Sequence, residues 1–70
     1  MKSQTVEKLQ AYLQNKFGAP SLKLIYRPKT DDSVEVTLNG EFIGVIYEDE
    51  DEGELSYQFH MAIIEEDLDL

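Results

Sequence analysis

The sequence predicts an α+β domain in which one amino-terminal helix covers a four-stranded antiparallel β-meander in the order 1-2-3-4. Three observations predict it. Apolar residues recur at helical spacing before Gly18, they alternate with polar ones after Leu22, and Asn39-Gly40 punctuates that alternation as a hairpin turn.

The helix is expected over roughly residues 4–17. Val6, Leu9, Leu13 and Phe17 are spaced by three, four and four and share one face, with Ala11 and Tyr12 beside them. Ser3 is the expected N-cap, and Glu7 suits the positive end of the helix dipole. Lys16 sits in the last turn, Gly18 is a ready left-handed terminator, and Pro20 prevents continuation.

The first strand carries Leu22, Leu24 and Tyr26, and Arg27-Pro28 opens a polar turn ending at Asp32. The second carries Val34, Val36 and Leu38. A two-residue turn at Asn39-Gly40 places Leu38 opposite Glu41, and uninterrupted pairing then sets Val36 against Ile43 and Val34 against Val45. The third strand is expected from Phe42 to Tyr47, the acidic run Glu48–Glu54 as a loop, and the fourth strand from Leu55 to about Ile63. Tyr47 is expected opposite Leu55, Val45 near Tyr57 and Ile43 near Phe59. Residues 65–70 read as an acidic tail or a short final turn.

The rival order is α-β-β-β-α, with the chain helical after Met61, but the alternation through Tyr57 and Phe59 favours strand. A double-stranded-RNA-binding domain shares that rival order. It is excluded by the sign of the charge.

All six basic residues and one acid lie in residues 1–30, whereas residues 31–70 hold fourteen acids and no Lys or Arg. The two parts carry +5 and −14, within a net charge of −9. Such a field repels phosphates and anionic lipid, so neither nucleic acid nor membrane is an expected partner. No apolar run approaches the roughly 18 residues of a membrane span. With no cysteine, a reducing, cytoplasmic setting is expected.

Seventy residues form a single domain, without repeats or linker. A domain this small buries only about 60% of its unfolded surface and commonly needs a supplement. Disulfides and thiolate metal sites are excluded by composition, and the lone His60 argues against zinc, which leaves self-association.

The residues that could carry chemistry do not assemble into a site. An EF-hand loop needs Gly at position six and Glu at twelve; placing Gly53 sixth puts Phe59 twelfth, and starting at Asp49 puts Gly53 fifth. His60 falls on the outer sheet face near Gln58, with Glu35 about 9–10 Å away across an intervening strand, and no nucleophile accompanies it. Glu35 and Glu41 point to opposite faces, and no glycine pattern forms a phosphate loop. Neither an enzyme nor a bound cofactor or metal is expected.

The outer face is the informative surface. It is expected to carry Ile25, Thr37, Phe42, Gly44, Ile46, Ala62 and Ile64, with no second helix to cover it. A homodimer through this face, anchored by Ile25, Phe42 and Ile46, is the leading reading; a different protein partner, or a wetted half-polar face, are the alternatives. Glu48, Asp49, Glu50, Asp51, Glu52 and Glu54 form an acidic surface suited either to a basic protein partner or simply to solubility.

The segments Leu9–Leu13, Phe17-Gly18, Arg27-Pro28, Asp31-Asp32, Gly40–Val45, Gly53–Tyr57 and Met61–Ile63, in that order, resemble a small family of uncharacterised alphaproteobacterial proteins, a domain of unknown function. The resemblance covers nearly the whole chain. It implies a bacterial, cytoplasmic, stand-alone protein and brings no activity, cofactor or functional residue with it.

Overall fold

A computed structural model describes residues 1–29 and 32–69. The elements run α1 (Ser3–Phe17), β1 (Leu22–Tyr26), β2 (Ser33–Leu38), β3 (Glu41–Asp51), β4 (Glu54–Met61) and a closing 3-10 turn (Glu65–Leu68). The four strands form one antiparallel sheet in the order β1-β2-β3-β4, as the sequence predicts. The segment between β1 and β2 includes residues 30 and 31, so part of the expected turn lies outside the described residues.

The helix begins one turn-position earlier than expected. Lys2, not Ser3, is the N-cap, no side chain caps the helix there, and Glu7 falls outside its first turn. Its end is as expected: Gly18 adopts φ +58°, and the N–H groups of Gly18 and Ala19 return to the carbonyls of Asn15 and Gln14. Val6 and Leu13 are buried and Leu9 half-buried, but Phe17, at the helix end, is 55% exposed.

The core forms between α1 and the sheet from Val6, Leu13, Leu22, Leu24, Val34, Val36 and Ile46. Ile46 and the bulge that brings it there are the main departure from the expected register. Leu38 faces Glu41 and Thr37 faces Phe42, but Val36 then faces Gly44, because Ile43 is an extra residue in β3. A bulge of this kind reverses the facing of every later residue on its strand relative to plain alternation. Val34 therefore opposes Ile46 rather than Val45.

The β3–β4 register is also corrected. Strand β3 continues through Glu48, Asp49 and Glu50 to Asp51, and the connection is the two-residue turn Glu52-Gly53. Glu52 and Gly53 have φ of +54° and +81°, matching +54° and +81° at Asn39 and Gly40. Two positive-φ residues in a two-residue loop are the mark of a type I′ turn. Tyr57 consequently pairs with Glu48, Phe59 with Ile46 and Met61 with Gly44. Leu55, Tyr57, Phe59 and Met61 remain on the helix side, as expected, where Tyr57 and Phe59 pack against the core.

Helix α1 also closes one edge of the sheet. Gln10 accepts a hydrogen bond from the Leu24 N–H at 2.9 Å, and the Gln14 amide donates to the Leu22 carbonyl at 2.8 Å. These backbone groups of β1 point away from β2. Two glutamines one helical turn apart thus satisfy two of the backbone groups that a fifth strand would otherwise bond.

Candidate functional site

The outer face of the sheet, away from α1, is built in cross-strand rows. One runs Lys23, Thr37, Phe42; the next runs Ile25, Glu35, Val45, His60; a third runs Ser33, Tyr47, Gln58. Ser33 and Thr37 are buried among longer neighbours: the Arg27 guanidinium donates to Ser33 Oγ, and Thr37 Oγ1 donates to the Lys23 carbonyl. Ile25, Phe42 and Tyr47 are 48%, 51% and 40% exposed and make the apolar part of this face.

Of the three expected anchors, Ile25 and Phe42 lie on this face and are exposed. Ile46 does not: at 2% exposure it is core, because the bulge at Ile43 turns it towards α1. Val45 and Tyr47 occupy the outer positions instead, and Gly44, expected outside, lies on the helix side beneath the Phe59 ring.

His60 is on the outer face as expected, paired with Val45. Its ring meets Tyr47 edge-on, with centroids 5.5 Å apart. Glu35 stands in the same row with β3 between. A hollow of 350 Å³ is lined by Phe42, Val45, Tyr47, His60 and Met61. That volume suits a small ligand, but Phe42 and Met61 are more than half exposed, so the hollow would not enclose one.

The acidic residues occupy a two-stranded ribbon instead of a loop. Beyond Tyr47, β3 has only β4 as a full partner, and the ribbon carries the long axis of the molecule to 42 Å. Alternation divides its carboxylates: Glu48 and Glu50 lie on the helix side, Asp49 and Asp51 on the outer side, and Asp51 directly opposes Glu54. Among the described residues no three His, Asp or Glu side chains come together as a metal site. No described helix is long and apolar enough to cross a membrane.

One feature that strand-by-strand reading of the sequence misses is the free edge. Strand β4 ends the sheet, and no described segment is hydrogen-bonded along its outer side. The Glu48 N–H donates to the Asp32 carbonyl on the β2 side, at 2.7 Å. Alternation then directs the backbone groups of Tyr47, Asp49 and Asp51 towards β4, and those of Glu54, Ser56, Gln58 and His60 towards β3. Leu55, Tyr57, Phe59 and Met61 point theirs outward. The signal in the sequence is Leu55–Ile64, ten residues without Asp, Glu, Lys or Arg and the longest such stretch in the chain.

No curated protein and no solved structure matches the chain at a significant level. A family described as "Protein of unknown function (DUF3126)" matches residues 5–67, which takes in most of α1, all four strands and most of the closing turn. The resemblance to a domain of unknown function read from the sequence is thereby resolved to one family: the chain belongs to DUF3126.

Proposed function

We propose that this protein is a non-catalytic interaction module that associates with itself through its open sheet, in a reducing, cytoplasmic setting. The observation that carries the reading is the one-sidedness of the fold. The helix covers the β1-to-β3 part of one sheet face and bonds to the β1 edge, while Ile25, Phe42 and Tyr47 on the other face, and the whole β4 edge, have no described cover. Apolar side chains left in water forgo about 1.5–3 kcal/mol each when fully exposed, which matters to a domain of this size. Sedimentation velocity over a wide range of concentrations tests the reading. A concentration-dependent dimer is expected, and an 8.1 kDa monomer throughout would overturn it.

A basic protein partner is the second reading, favoured by the way the ribbon projects Glu48, Asp49, Glu50, Asp51, Glu52 and Glu54 away from the domain. Such a field accelerates encounter with basic surfaces and fades with salt over a screening length of about 8 Å at physiological strength. Replacing Glu48, Glu50 and Glu52 by Gln should slow association with a basic partner and weaken its salt dependence. Unchanged kinetics would reduce the ribbon to a solubilising arm.

A further inference from the structure

We infer that the chain pairs with a second copy of itself along β4, antiparallel about a two-fold axis at Gln58, to give a continuous eight-stranded sheet. The inference rests on the self-association proposed above and names its surface.

The two edges of the sheet are treated differently. At β1, Gln10 takes the Leu24 N–H, Gln14 the Leu22 carbonyl and the Ala19 carbonyl the Leu22 N–H, whereas at β4 no described residue bonds the outward backbone groups of Leu55, Tyr57, Phe59 and Met61. Bare edges are ordinarily blunted by charge, proline, a bulge or brevity. Strand β4 has eight residues, no proline and a regular register with β3, and from Leu55 onward it has no Asp, Glu, Lys or Arg. In a chain of net charge −9, that is the segment where a second copy meets least repulsion.

The residue pattern is self-complementary in one register. A two-fold axis at Gln58 sets Leu55 against Met61 of the second copy, Tyr57 against Phe59, Ser56 against His60, and Gln58 against itself. All four outward-pointing residues then meet an outward-pointing counterpart and exchange hydrogen bonds, as an isologous contact requires. Leu55 and Met61, 48% and 54% exposed in the single chain, cover each other on the helix side. Glu54, the only acid in β4, faces Ala62 of the second copy, so no two carboxylates are directly opposed. The closing turn lies at the Met61 end of β4, where Glu66, Asp67 and Leu68 line a hollow with Phe42, Ile43 and Met61.

The test uses the absence of cysteine. Gln58→Cys places two thiols opposite one another across the axis. At a non-hydrogen-bonded antiparallel pair the Cα atoms are about 4.5 Å apart, within the roughly 4.4–6.8 Å that a disulfide spans. Mild oxidation should convert this variant to covalent dimer. Ser56→Cys alone should not cross-link, but mixed with His60→Cys it should give the heterodimer. Leu55→Lys should weaken the dimer about tenfold or more while the folded monomer persists. Added salt should tighten the dimer by screening like charges, the reverse of its effect on a basic partner. A dimer abolished by Phe42→Lys but indifferent to Leu55→Lys, with no Gln58→Cys cross-link, would overturn the edge contact and leave the interaction module standing. A monomer under all conditions would overturn both.

Discussion

Gly44 is buried in β3 against β4, and its importance is steric. A Cβ built there would collide with the His60 carbonyl oxygen and lie 2.7 Å from Phe59 Cε1. The ring could yield, but the carbonyl belongs to the ladder. Gly44→Ala should therefore destabilise by about 1–3 kcal/mol, the usual cost of overpacking, in urea denaturation. Phe59→Leu in the same chain should restore only part of that loss. Ile46 makes the complementary test. Ile46→Ala should cost about 2–5 kcal/mol, and Val45→Ala clearly less, because Ile46 is buried and Val45 half-buried. Equal losses at the two positions would argue against the bulge.

At the scale of elements, the helix and the Asn39-Gly40 turn between β2 and β3 are legible in the sequence because each has a local cause. Helical spacing ends at a glycine that can adopt positive φ, and Asn39-Gly40 suits only one common tight turn. The bulge at Ile43 is not legible from alternation, since an inserted residue leaves an apolar run looking unbroken through Phe42, Ile43, Val45 and Ile46. Its trace is Gly44, because glycine inside a strand often marks a bulge or a close approach. The acidic run misleads for a different reason. Asp and Glu are poor strand formers, yet Glu52-Gly53 makes a second tight turn and the ladder carries the carboxylates along. The unread bulge put Ile46 on the wrong face, and reading the acidic run as a loop hid the length of β3. The hydrogen bonds from Gln10 and Gln14 depend on where α1 docks, which no local pattern reveals. Gln10→Ala should cost about 1–2 kcal/mol, and hydrogen exchange at the Leu24 amide should quicken more than at its neighbours in β1.

For the whole molecule, charge is the dominant long-range term. Six of the fifteen acids, Glu48, Asp49, Glu50, Asp51, Glu52 and Glu54, lie along one projecting ribbon, where Asp51 and Glu54 oppose each other directly. Asp51→Lys should convert that repulsion into attraction and add about 0.2–1 kcal/mol of stability, read as a raised melting temperature at low salt. Moderate salt should raise the melting temperature of the unaltered protein and shrink the gain from the substitution.

The consecutive order of the strands also bears on how the chain reaches this state. Each strand pairs with its neighbour in sequence, two of the three connections are two-residue turns, and α1 docks beside the strand that follows it. Few contacts have to wait for distant parts of the chain to meet, so little loop-closure entropy opposes the transition state. Refolding from urea should be a single fast exponential, quicker than in sandwich or barrel domains of the same length. Hairpin variants such as Gly40→Val should slow it by stripping the turn of its preferred backbone, more than they speed unfolding.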